Sequence, residues 1–264
     1  MNNCAIYLYG IIPVHSASSF NILGIDKINQ LYSLDFEDLK AMVSDVPLVD
    51  YDEISFTKNA EDIEWLKEKA FLHSNIISHI FNITNAIVPI KFGTIFLCKD
   101  NIFCFLKENY QALKDNLINT ANKQEWGVKL YCDINMFIDT NMTDEKKKIL
   151  EQTSNISKGA RYFLHKKLED NISNMAKNKI LILSKNIFDN LLSECSEGKF
   201  NKLLSKEATG MPFEMYMNST FLLSKKHVQH FIQTLDIHKD ELKKIGVYLE
   251  QTGPWPPYNF CTLS

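Results

Sequence analysis

Arginine is nearly absent from this sequence: of 29 basic residues, 28 are lysines and one is Arg161. Arginine is the planar fork that grips phosphate or carboxylate at two points, whereas lysine is a flexible point charge, so a site built on paired arginines is excluded. The surplus of positive charge that nucleic-acid binding draws on is missing too, since the net charge is −3. Glycine is scarce, with nine in 264 residues, and neither G-x-G-x-x-G nor G-x-x-x-x-G-K-[ST] occurs, which removes the glycine-rich phosphate loops. H-E-x-x-H and G-x-S-x-G do not occur either. Six scattered cysteines, Cys4, Cys98, Cys104, Cys132, Cys195 and Cys261, form no C-x-x-C pair and read as free thiols of a cytoplasmic protein. No stretch approaches the roughly 20 apolar residues that span a bilayer. Ala5–Val14 has about the length of a signal-peptide core, but no Lys or Arg precedes it and Gly10 and Pro13 interrupt it. It reads as a first strand.

What the chain does contain is ordinary globular composition, 45% hydrophobic and 23% charged. Its length exceeds the roughly 150 residues of an average domain and favours two. Cys4–Ile12, Ile28–Phe36 and Leu39–Val46 have strand character, the last placing Leu39, Ala41 and Val43 on one face. Thr57 or Asn59 can cap a helix to about Ile83 with Ile63, Leu66, Ala70, His73, Ile77 and Ile80 on one stripe. Ala86–Leu97 reads as a bent strand and 101–121 as a helix. A strand at Glu125–Ile134 opens the second half. A helical region from Thr143 or Asp144, with Leu150, Ala160, Phe163, Leu168 and Ile172, and a further helix over 180–195 follow it. A polar break at Glu197-Gly198, a strand over Phe213–Leu223, a helix over Lys225–Lys244 and an extended Val247–Phe260 complete the pattern. Strands and helices alternate twice, which predicts an α+β fold of two domains, 1–123 and 124–264. Each is a mainly antiparallel sheet with helices packed on one face, in an order that leans toward ferredoxin-like variants.

Few residues invite a chemical role. His73 lies on the apolar stripe of its helix and reads as a hydrogen-bonded core histidine rather than a general base. His227 and His230 share a helix face, but Lys225 and Lys226 beside them repel a cation, so no metal site is expected. Glu37-Asp38 and Glu61-Asp62 flank segment starts and suit turn and helix-dipole roles. The most distinctive segment is Gly253-Pro254-Trp255-Pro256-Pro257-Tyr258-Asn259-Phe260. Its three prolines force an extended backbone that can pair with a sheet only at an edge. Trp255 is expected to be partly buried against the C-terminal domain, as part of a strap beside a partner-binding surface.

These residues carry a family resemblance. Tyr7-Leu8-Tyr9-Gly10-Ile11, Ala41-Met42-Val43-Ser44, His73, Val88-Pro89-Ile90-Lys91-Phe92-Gly93-Thr94, Glu125-Trp126-Gly127-Val128-Lys129-Leu130-Tyr131 and the 253–260 segment resemble, in this order, the gas-vesicle accessory proteins of the F/L type. Lys91 stands where that family often has arginine. The resemblance implies a non-enzymatic accessory or minor structural protein of gas-vesicle formation, cytoplasmic and without cofactor. It also implies a modified ferredoxin-like C-terminal domain and, as partners, the hydrophobic shell protein and other accessory proteins. It marks Pro89, Phe92, Gly93, Trp126, Gly253, Pro254, Trp255, Pro256, Pro257, Tyr258 and Phe260 as structural or partner-contact residues, with His73 in the core. The rival reading from the residues is a small-molecule enzyme on ferredoxin-like domains.

Overall fold

The computed structural model describes residues 4–16, 20–153 and 158–263, and the side chains of these except 149–165. Leu150, Ala160 and Phe163 therefore lie outside the described side chains. The chain divides into two units, Met1–Glu125 with Pro254–Ser264, and Trp126–Gly253. The second unit is thus an insertion into the first. From the sequence, the division was expected at 123/124 and the whole C-terminus was expected in the second domain; the contacts instead place residues from Pro254 onward with the first unit.

The first unit begins with β1 (Cys4–Pro13), β2 (Tyr32–Phe36) and β3 (Leu39–Pro47), followed by α1 (Leu48–Tyr51), α2 (Glu53–Ala60) and α3 (Ile63–Thr84). Two short strands, β4 (Val88–Pro89) and β5 (Ile95–Phe96), then precede α4 (Lys99–Glu108) and α5 (Tyr110–Thr120). The sheet order is β2-β3-β1-β4, with β5 also paired to β1, and every pairing is antiparallel.

β1 is the centre of this unit. Ala5–Ile12 is buried throughout, because helices cover both faces of the sheet rather than the single face expected. On one face Tyr7, Tyr9 and Ile12 meet Ile76, Ile77, Ile80 and Phe81 of α3. On the other, Ile6, Leu8 and Ile11 meet Ile102 and Leu106 of α4 and Leu113 and Leu117 of α5. The step from period two at Tyr9 to Ile12 follows from a bulge. Leu8 pairs with Val43 and Gly10 with Met42, leaving Tyr9 as the extra residue.

α3 starts later than expected. Asp62, whose carboxylate accepts from Glu64 N and Trp65 N, is the N-cap, and α2 is a separate helix before it. The inward stripe is rotated accordingly: Ile63 and Ala70 are exposed, while His73, Ile76, Ile77, Ile80 and Phe81 are buried. The run 86–97 forms two short strands and not one, because Pro89 lacks a ladder donor and Gly93 turns the chain at φ +80°. The helix expected over 101–121 is broken at Asn109.

The second unit holds most of β6 (Lys123–Cys132), then α6 (Ile134–Asn141), α7 (Thr143–Thr153), α8 (Lys158–Leu192) and β7 (Glu197–Phe200). α9 (Lys206–Thr209), β8 (Glu214–Ser224), α10 (Val228–Lys243) and β9 (Val247–Trp255) complete it. The helix expected at 180–195 is the second half of α8, a single helix of 35 residues, and the polar break at 197–198 is the start of β7. Strand order β7-β8-β6-β9 places the first and third main strands of a β-α-β-β-α-β series in the centre, the ferredoxin-like arrangement, extended here by α6, α7 and α9. The core lies between Trp126, Val128 and Leu130 of β6, Met217 and Phe221 of β8, the α8 stripe of Ile172, Ala176, Ile180 and Ile187, and Phe231 and Leu235 of α10. β9 is one of the two edge strands and carries the first proline of the terminal segment, as an edge allows. No helix among the described residues is long and apolar enough to cross a membrane.

Candidate functional site

The most distinctive structure in the first unit grows from residues 89–94. Each turn of this segment is held by hydrogen bonds to elements on either side. Ile90 N donates to Tyr9 O at 2.9 Å, and Leu8 N donates to Thr94 O at 3.0 Å. Within the loop, Thr94 donates twice to Lys91 O, from its amide at 3.3 Å and its hydroxyl at 2.8 Å. Gly93 permits the left-handed backbone between them, where a side chain would also approach Phe56 at 3.0 Å.

His73 ties this loop to the core. Its Nε2 lies 3.1 Å from Ile90 O, which can only accept, so Nε2 carries the proton and Nδ1 is the acceptor. Tyr7 Oη, 3.0 Å from Nδ1, therefore donates to it, and in turn accepts from Gly93 N at 2.8 Å. The result is a directed relay: Gly93 amide to Tyr7 hydroxyl to His73 ring to Ile90 carbonyl. Burial pushes the imidazole pKa down to about 4, so the ring is neutral at physiological pH. Burial likewise pushes the Tyr7 phenol far above its ordinary value. Phe92 stands edge-on to the His73 ring at 5.6 Å, and Tyr9 stacks on it at 5.9 Å. Both imidazole nitrogens are spent on structure, which leaves no lone pair for a substrate.

The terminal segment docks beside this loop. Pro256, Pro257 and Phe260 are buried, and Cys261 and Leu263 pack on the α4–α5 side of the sheet. The polar anchor is Glu125, only 3% exposed, whose two oxygens accept from Asn259 N at 2.7 Å and Asn259 Nδ2 at 2.5 Å. A buried carboxylate requires such partners, and a two-point clamp on a proline-stiffened segment fixes it with little further loss of entropy. Asn116 Nδ2 adds a bond to Thr262 O at 2.9 Å. Burial pushes the pKa of the Tyr258 phenol up to about 12, with the nearby Ser74 side chain pulling it the other way. Gly253, at φ +129° within β9, is the last residue of the second unit.

Between loop and strap lies a cleft of about 520 Å³, lined by His73, Ser74, residues 89–92, Thr94, Phe105, Tyr258, Cys261 and Leu263. The structure thus brings Pro89, Phe92, Tyr258 and His73 together at one site, with Gly93 at the turn of the loop and Pro256, Pro257 and Phe260 buried in the strap. It leaves others apart. Trp126 lies in the core of the second unit. Gly253, Pro254 and Trp255 precede the cleft, and Trp255, expected to be partly buried, is 42% exposed. The anchoring falls one to five residues later, on Pro256, Pro257, Asn259 and Phe260. His230 faces Glu194, with Nε2 3.3 Å from Oε1. Sequence reasoning missed the site roles of Tyr7, Ser74, Phe105, Glu125, Asn259 and Leu263. Of these only Glu125, a charge opening an apolar strand, gave any local signal.

Comparison with known proteins extends the match over nearly the whole chain. The family model described as gas vesicle synthesis protein GvpL/GvpF matches residues 5–262. Gas vesicle protein L of Streptomyces sp. (strain CB03234) is 25% identical over 230 residues, covering 86% of this chain and 81% of that protein. Gas vesicle protein L1 of Halobacterium salinarum is 22% identical over 97% of this chain and 89% of its own length. The crystal structure of the gas vesicle protein GvpF from Anabaena sp. PCC7120 shares the fold at a TM-score of 0.72 and 17% identity, covering 98% of this chain and 99% of that one. GvpF from Microcystis aeruginosa gives 0.67 at 14% identity over the same shares.

Proposed function

We propose, from the premise that this chain belongs to the gas vesicle synthesis protein GvpL/GvpF family, that it is a non-enzymatic accessory or minor structural protein which binds the hydrophobic shell protein and other accessory proteins while vesicles form in the cytoplasm. The family match across residues 5–262 is the observation that carries this reading. The site chemistry is in keeping with it. His73, the buried titratable group at the cleft, is neutral and fully engaged by Tyr7 and Ile90. The remaining lining is largely apolar and suits protein contact better than bond-making. A shell subunit that has not yet joined the wall exposes apolar surface prone to aggregation, and an adaptor with an apolar cleft covers part of it.

The test is a pull-down of the shell protein by the full chain, together with vesicle formation in cells lacking the chain. Capture of the shell protein and loss of vesicles are expected. Vesicles formed at normal yield without the chain, or a shell protein that is never captured, would overturn the proposal.

A further inference from the structure

We infer that the cleft between residues 89–94 and the terminal strap is a docking site for a short apolar peptide segment of a partner protein that carries one carboxylate. Its apolar side chains enter between Phe92, Phe105 and Leu263, and its carboxylate meets Lys91. This deepens the reading above and rests on it, since it supposes that the protein works by holding other proteins.

Three features of the site carry the inference. The first is preorganisation: the backbone of 89–94 is fixed by hydrogen bonds to Tyr9, Leu8, Tyr7 and His73 and by the two hydrogen bonds from Thr94 to Lys91 O, so little entropy is lost when a ligand arrives. The second is lining. Pro89, Ile90, Phe92, Phe105 and Leu263 offer apolar surface to side chains, with the hydroxyl-bearing Ser74, Thr94 and Tyr258 beside them. The third is charge. Lys91 is exposed at the rim, and among the described residues its ammonium has neither a carboxylate nor a hydrogen-bond partner. Lys27, Lys67 and Lys114 of this unit are each paired with an acid, whereas exposed Lys58 and Lys107 are, like Lys91, without an acidic partner among the described residues but do not line the cleft. An uncompensated cation on a rigid loop above an apolar cleft is complementary to one acidic side chain set among apolar ones. A single lysine is too little for a phosphate cluster, which would call for several cations or arginine forks.

The experiment uses the full-length protein and two synthetic peptides, acetyl-Gly-Leu-Ile-Asp-Leu-Gly-amide and the same peptide with Asn for Asp, in calorimetric titrations at low salt. The acidic peptide should bind about two- to fivefold more tightly than its amide twin, the range of a solvent-exposed ion pair. That ratio should fall to one for Lys91→Gln, an exposed change that leaves the loop bonds intact, and also at high salt. Leu263→Ser should weaken both peptides equally. Equal binding of the two peptides to the unaltered protein, a ratio unchanged by Lys91→Gln, or no binding of either peptide at about 1 mM would overturn the inference. Hexanoate bound as tightly as the acidic peptide would overturn it in favour of a small carboxylic acid. These outcomes are separable from those of the functional proposal. Cells that need the chain for vesicles while the peptides fail would refute the cleft assignment alone. Peptide binding with vesicles unaffected by loss of the chain would refute the vesicle role alone.

Discussion

Replacing His73 by glutamine should change how the first unit responds to acid. In the folded chain burial holds the ring neutral, with a pKa near 4 in place of the ordinary 6.5. Between those values the unfolded chain binds a proton on this ring and the folded chain does not, so stability falls as the pH is lowered through that window. The contribution is complete above pH 6.5 and exhausted below about pH 4. At about 1.36 kcal/mol per pH unit, the whole window is worth on the order of 3 kcal/mol. Glutamine keeps a donor for Ile90 O and an acceptor for the Tyr7 hydroxyl but does not titrate. At pH 7.5 the variant should be less stable by about 1–3 kcal/mol, from lost ring packing and poorer bond geometry. At pH 4.5 the difference should shrink by about 2–3 kcal/mol, because only the native ring is penalised there. Urea unfolding measures both values. Trp65, packed between Tyr51 and Phe56, is the reporter, in a background with Trp126→Phe and Trp255→Phe. Carboxylates titrate alike in both proteins and cancel in the comparison. Parallel pH curves for His73 and its glutamine variant would refute the neutral, doubly bonded ring.

Glu125→Ala should leave Asn259 without its two-point acceptor and lower stability by about 2–4 kcal/mol. Limited proteolysis should then cut first within 254–263, and a strap as resistant as before would count against the clamp. Phe260→Ala should cost about 3–5 kcal/mol, while Trp255→Ala, at a side chain 42% exposed, should cost under about 1.5 kcal/mol in thermal unfolding. The reverse order would place the anchor on Trp255. Cys4, Cys98, Cys104, Cys132, Cys195 and Cys261 are all free, so alkylation in denaturant without reductant should add six groups by mass; four would reveal a disulfide.

Elements whose signal is local were legible in the sequence. β3 with its Leu39, Ala41 and Val43 face, and α10 with Phe231 and Leu235 inward, follow from periodicity alone. The burial of β1 on both faces is also written there, in eight consecutive residues without a charge, where a sheet covered on one face was expected. Errors gathered where distant chemistry decides. Asn59 and Asp62 are both able caps, and which one opens α3 depends on how the turn after α2 folds. β7 spans four residues, and only its pairing with Ser219–Leu222 makes it a strand. At the site, His73 and the 89–94 loop stood out. Glu125 and Asn259, 134 residues apart, did not, because nothing in either neighbourhood encodes the other. Pro256 and Pro257 announced a stiff segment but not the unit on which it lies.

Placing one unit inside another sets a clock on synthesis. Glu125 leaves the ribosome 134 residues before Asn259, which bonds both of its oxygens. At roughly 5–20 residues per second, that interval is on the order of 10 s. During it the nascent first unit lacks the three strap residues of its cleft, Tyr258, Cys261 and Leu263, and the Asn259 clamp on Glu125. A chain that stalls anywhere in the second unit never acquires Tyr258 and Leu263, so it cannot present the finished cleft to a partner. A partner docking there, as proposed, would meet only molecules in which both units have already been made.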